Sequence, residues 1–191
     1  LGTRYFMKDA LGIAAGLQDR VIQVYEGVVY MDFQRALMEA QGHGNYEKLN
    51  PALLPPLFIA YREDLGEGSE TIHQTVRDRW LAGDAQVLET MEALGECARQ
   101  ARDLLLAGKG TEIGPLFDRN FELRCSIFKV DQRNKDMITC AKALGAHAKL
   151  AGSGGAIIGI YEDEAMYQAL AEAFQKEGIA IFKPQIEPEQ S

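Results

Sequence analysis

The β-rich stretches of this chain sit in two groups, and that placement constrains its fold more than any other feature. VVYMDF (Val28–Phe33) and LFIAYRE (Leu57–Glu63) come early, while AIIGIY (Ala156–Tyr161) and IAIFK (Ile179–Lys183) come late. Helical periodicity fills most of the remainder. AAGLQDRVIQVYEG sets Leu17, Val21, Val24 and Tyr25 at helical spacing and stops at Gly27. From Asp84 to Ala107 the apolar residues Val87, Leu88, Met91, Leu94, Ala98, Ala101, Leu104 and Leu105 keep the spacing of an amphipathic helix. Ser69 is the expected N-cap of a helix running through Trp80. Further helices are expected over Glu112–Phe128, Gln132–Leu144 and Glu164–Glu177, the last stopped by Gly178, and GHGNYEKLNP reads as a loop. With about four strands, paired early and late around a helical middle, the chain predicts an α+β fold. Its expected form is an antiparallel sheet of those strands with helices packed on one face.

At 191 residues the chain is long enough to bury a sizeable core, and 47% apolar with 25% charged residues is a folded composition. A formal charge of -8 disfavours broad binding to nucleic acid or anionic membranes but leaves room for an anionic small molecule held by a few local bases. Cys97, Cys125 and Cys140 are odd in number and far apart, which predicts buried, reduced thiols in a cytoplasmic protein. The apolar stretch LLPPLFIAY is short and broken by two prolines, so no membrane span is expected. The N-terminus has no signal-peptide pattern and no Met, so the chain is expected to start partway through a gene product.

Two segments could carry chemistry. HAKLAGSGGAIIGIY (His147–Tyr161) holds a serine among glycines behind a lysine, and its expected order is helix, glycine loop, strand. A Walker loop or a dinucleotide fingerprint needs strand, loop, helix, so that a helix N-terminus faces the phosphate. Two readings stay open: a tight connection, or a nest of backbone N–H groups that meets an anion or braces another phosphate loop, with Lys149 adding charge. The second segment is GLQDRV, where Asp19 lies in the first turn of a helix beside Gln18 and Arg20. Such a carboxylate is a favourable partner for the helix dipole. Next to a guanidinium it also stays ionised and can orient or deprotonate a hydroxyl. His73, Arg77 and Trp80 share one expected helix face, and Arg119, Asn120 and Arg124 share another where solvated ion pairs are expected. His43 and His147 have no partners at zinc spacing.

GIAAGLQDRVIQVYEGVVYMDF (Gly12–Phe33) and AKLAGSGGAIIGIY (Ala148–Tyr161) together resemble the later two-thirds of a GHMP-family small-molecule kinase. Within that family they look most like the glucuronokinases, which phosphorylate glucuronate at its anomeric hydroxyl. LLPPLFIAYRE, IHQTVRDRWLAGD and FDRNFELR extend the resemblance across the chain. It implies that residues 1–26 end an N-terminal kinase domain bearing the catalytic-aspartate helix, and that 27–191 form the C-terminal domain. It implies ATP and Mg²⁺, with Asp19 as catalytic base or charge stabiliser. Gln18, Arg20 and Tyr25 become candidate substrate contacts, with Arg20 either gripping a uronate carboxylate or pairing with Asp19 or Glu26. Lys149, Gly152, Ser153, Gly154 and Gly155 would close the phosphate side of the site. Glu26 and Ala156 stand where relatives often carry glycine. The family's Pro-x-x-x-Gly-Leu-Gly-Ser-Ser-type ATP loop is not in this sequence, so the chain alone is expected to be inactive. Its expected partners are a sugar, ATP and an N-terminal half, with no nucleic acid or membrane. A kinase for another sugar such as a heptose, or a non-catalytic module of the same fold, are the alternatives.

Overall fold

A computed structural model describes residues 17–62 and 76–186. The chain divides into two compact units, the first containing the described residues 17–52 and Ile186, the second Leu53–Gln185.

The first unit begins with α1 (Leu17–Tyr25), which turns its Val21 inward. Glu26 (φ 54°) and Gly27 (φ 66°) then take consecutive left-handed conformations, which end the helix and reverse the chain. β1 (Val28–Asp32) follows and pairs antiparallel with β2 (Asn45–Leu49), in register from Val28↔Leu49 to Asp32↔Asn45. Between them lies the short α2 (Arg35–Gln41), closed by Gly42 in the left-handed region. The Tyr46 ring meets Tyr25 edge-on at 5.5 Å and Phe33 at 5.7 Å, so an aromatic cluster fastens helix to strands.

The second unit carries a four-stranded antiparallel sheet in the order β4-β5-β3-β6. Its strands are β3 (Leu57–Tyr61), β4 (His147–Leu150), β5 (Ala156–Ile160) and β6 (Ala180–Phe182). Strand alternation sends Phe58, Ala60, Ala148, Leu150 and Ile157 into the core. There they meet Met137, Ile138 and Ala141 of α5 (Gln132–Ala143), and Leu170 and Phe174 of α6 (Glu164–Lys176). Gly159 is required by this packing, since a Cβ there would lie 2.3 Å from the Phe58 ring and 2.7 Å from the His147 carbonyl. The long α3 (Ala85–Leu106) starts at Asp84, whose side chain accepts from the Val87 N–H. A 3₁₀ turn over Gly110–Ile113 leads into α4 (Gly114–Ile127), which packs along α3 and against β4.

The α+β class and the antiparallel sheet are as expected, but its membership differs. The expected strand at Val28–Phe33 forms, yet it pairs with β2 in a separate two-stranded sheet, and β4 takes its place in the larger one. Residues 76–81 are helical, while Ser69 and His73 lie outside the described residues. Among the described residues no helix is long and apolar enough to cross a membrane.

Candidate functional site

The glycine segment is a hairpin loop. Lys149 and its neighbours form β4, so the local order is strand, loop, strand, which corrects the expected helix, loop, strand and moves the segment further from a Walker arrangement. The Ala151 N–H donates to the Ala156 carbonyl at 3.0 Å and closes the hairpin. Gly154 (φ 148°) and Gly155 (φ 77°) take conformations that side-chain-bearing residues rarely adopt.

Two side chains hold the loop from opposite ends. The Gly155 N–H donates to Asn134 Oδ1 at 2.8 Å, and Asn134 is only 5% exposed near the start of α5. A Cβ on Gly154 would come within 3.2 Å of Asn134 Nδ2, so the loop lies close over this amide. At the other end Arg124 Nη2 of α4 donates to the Gly152 carbonyl at 2.9 Å. Within this frame the N–H groups of Gly152, Ser153 and Gly154 make no hydrogen bond to the described residues, and Gly152 and Ser153 are exposed. The loop is therefore not packed shut.

Lys149 lies beneath it on β4. Its Nζ donates to the Leu150 carbonyl at 3.3 Å and lies 5.5 Å from the centroid of the Phe117 ring. Burial, with the nearby Arg124 charge as the second cause, pushes its pKa down to about 8. Burial likewise lowers the pKa of Arg124, whose Nε is enclosed and without a hydrogen-bond partner among the described residues. Arg124 was expected in a solvated ion pair; it instead stacks over Phe128 at 5.3 Å and braces the loop. Its helix neighbour Arg119 does form the expected exposed pair, with Glu122 at 3.8 Å.

The Asp19 group belongs to the other unit. Asp19 and Gln18 are exposed on the first described turn of α1, and no described residue pairs with the Asp19 carboxylate. Arg20 is half-buried with its Nε enclosed. Tyr25 is occupied by its stacking on Tyr46.

Other polar groups have structural partners. His147 Nδ1 lies 2.7 Å from Asp118 Oδ2, and Lys142 Nζ is 3.4 Å from Asp118 Oδ1. The imidazole rests on Gly114, where a Cβ would come within 2.2 Å of its Cδ2. His43 Nδ1 is 2.8 Å from the Gly44 carbonyl. No cluster of His, Cys, Asp and Glu among the described residues is arranged to hold a metal ion. Cys97, Cys125 and Cys140 are free thiols whose pKa values burial raises, so none is set up as a nucleophile. Sequence reasoning missed Asn134; its only signal was a polar residue on the inward face of an amphipathic helix.

Residues 90–180 match the family model described as GHMP kinases C terminal. Glucuronokinase 1 of Arabidopsis thaliana is 37% identical over 182 residues, which cover 93% of this chain and 50% of that protein. Probable glucuronokinase 2 of the same plant is 39% identical over 176 residues, 90% of this chain and 48% of that protein. Among solved structures, L. major mevalonate kinase in complex with R-mevalonate superposes with a TM-score of 0.70 at 16% identity, over 92% of this chain and 56% of that one. Mevalonate kinase from Methanococcus jannaschii gives 0.57 at 18% identity, over 80% and 53%. At that identity the solved structures speak for the fold alone. The chain spans about half the length of the curated relatives it matches.

Proposed function

We propose that this chain, which carries a GHMP kinase C-terminal domain over residues 90–180, is the later part of an ATP-dependent sugar kinase that phosphorylates a uronic acid at its anomeric hydroxyl. The likeness to two glucuronokinases over nearly the whole chain carries this reading. The local geometry agrees with it. Asp19 is exposed and uncommitted among the described residues, as a general base must be, and the glycine loop offers open N–H groups beside two cations. A non-catalytic module would have its aspartate locked in an ion pair and its loop closed.

In the proposed reaction the anomeric oxygen attacks the γ-phosphorus of ATP as the bond to the ADP oxygen breaks, and the hydroxyl proton passes to the Asp19 carboxylate. Arg20 grips the uronate carboxylate, with Gln18 and Tyr25 beside it on α1. Lys149 and the Gly152–Gly155 segment face the phosphate side. Residues 1–26 complete the N-terminal domain of the parent enzyme and 27–191 form its C-terminal domain. Mg²⁺ accompanies ATP in phosphoryl transfer generally. The described residues do not fit a metal site, so no step is assigned to a metal held by them. Free, half-buried to buried thiols suit a reducing compartment, and we place the enzyme in the cytoplasm.

The test is ADP release from Mg·ATP across glucuronate, galacturonate, glucose and a heptose, using the complete enzyme. Turnover on a uronate is expected, with Asp19→Asn lowering it about 10²-fold or more. Arg20→Ala should cost glucuronate far more than glucose. Turnover confined to neutral sugars would overturn the uronate assignment, and near-normal Asp19→Asn activity would remove the proposed base.

A further inference from the structure

We infer that the uncovered apolar face of α3 is a self-association surface, on which a second copy of this chain lays its own α3 antiparallel about a two-fold axis. This goes beyond the kinase reading and does not rest on it. One line of α3 faces the core of its own unit, with Val87, Cys97 and Leu105 buried. A second line steps by three or four residues through Leu88, Met91, Gly95, Ala98, Arg102 and Leu106, about 100° round the helix from the first. Leu88 is 36%, Met91 47% and Leu106 49% exposed, and Gly95 and Ala98 are exposed as well. Single exposed hydrophobic residues are ordinary. These lie along one helix over about 27 Å, which is the form of a contact surface.

The order of residues along the line indicates what covers it. A two-fold interface must be complementary to itself, because the same patch supplies both sides. Turned end for end about a point between Gly95 and Ala98, the line meets its own complement. Leu88 then faces Leu106 of the second copy, Met91 lies along the aliphatic stem of Arg102, and Gly95 faces Ala98. Large side chains pack at both ends and small ones let the helices approach at the crossing. Gly95 is otherwise a cost, since glycine inside a helix weakens it. A Cβ there would meet nothing within 4 Å among the described residues, so packing inside one copy gives no reason for the glycine.

Charge agrees with the same direction. Glu92 and Arg99 flank the solvent side of the line, seven residues apart. Antiparallel pairing sets Glu92 of each copy against Arg99 of the other, whereas a parallel pair in register brings like charges together. Within one copy Arg99 pairs with Glu96, and Arg102 with Asp103. Those pairs are solvated and hold the helix only weakly. With five donors, Arg99 can serve Glu96 and the second copy's Glu92 together.

The experiment is sedimentation equilibrium on this chain, with its variants and their mixtures. The expected result is a reversible monomer–dimer equilibrium. Met91→Lys and Gly95→Leu should each weaken it by about tenfold or more while helical circular dichroism is retained. Glu92→Arg and Arg99→Glu should each weaken it likewise, because each sets like charges against each other in its own dimer. An equimolar mixture of those two variants should recover association, since both cross pairs are then of opposite sign; this readout does not depend on the apolar variants folding. A chain monomeric at every concentration, association unchanged by Met91→Lys or by both charge reversals, or no recovery on mixing would overturn the inference. A monomeric chain whose Met91 becomes protected from oxidation in the complete enzyme would give this face to the rest of that enzyme, and would overturn it too.

Discussion

Lys149 carries a measurable cost in the fold. Its pKa falls from 10.5 to about 8 because burial, and then the Arg124 charge, disfavours the ammonium. Between those two values the unfolded chain binds more protons than the folded one, so stability rises with pH across that window. Below about pH 8 the lysine is charged in both states and the full penalty applies. Lys149→Met, which keeps the stem and removes the charge, should therefore raise stability at pH 7 by on the order of 2 kcal/mol. Denaturant midpoints at pH 7 and pH 10 check this. The variant's advantage should shrink at the higher pH, and a variant less stable at pH 7 would show that the ammonium is a net structural asset. Glu26 shows a smaller tension of the same kind. It occupies a left-handed conformation (φ 54°) that disfavours side chains and that glycine would adopt at lower cost. Ala156 opens a regular strand instead, and its backbone needs no glycine. Asp19 and Lys149 could be nominated from sequence because their motifs are local. Arg124 and Asn134 could not, because their partner is a loop that lies 28 and 21 residues away from them in sequence.

Elements were legible where their signal was long. The helix expected over Asp84–Ala107 is α3 with those two residues as its caps, because many apolar positions repeat at one period. The strand β2 reads NYEKL, rich in residues that strands usually avoid, and it forms through its pairing with β1. The four residues of β4, HAKL, are too few to register a period and follow directly on a helical pattern. Missing β4 made the glycine loop look like a helix-to-strand connection; the added strand makes it a hairpin whose shape is set from outside by α4 and α5. Asn134→Ala tests that control. It removes the acceptor for the Gly155 N–H and leaves a donor to be rehydrated, a loss of about 1–2 kcal/mol. Faster hydrogen exchange at Gly155 should accompany it, while exchange in β3 and β5 stays slow. Asn134→Asp keeps an acceptor oxygen and should restore protection at Gly155. Loss of protection throughout the sheet would mean that Asn134 supports the core rather than the loop.

At the scale of the whole chain, the two compact units differ in how much apolar surface they enclose. The second owns a continuous core from Phe58 to Ile179, in which Phe58, Ala60, Ala141, Ala148, Ile157, Leu170 and Phe174 are fully buried. The first, among its described residues, buries only Val21 and Leu49 among hydrophobic side chains, each still 8% exposed, around a two-stranded sheet. Two strands are marginal on their own in water, whereas four strands under two helices bury enough for cooperative folding. A chain of residues 53–185 should therefore fold by itself, unfold in a single thermal transition and keep the pH-dependent stability attributed to Lys149. A chain of residues 1–52 should show no cooperative transition. Calorimetry and near-ultraviolet circular dichroism on both fragments check this division. If 53–185 proved unfolded, the core would depend on residues outside it.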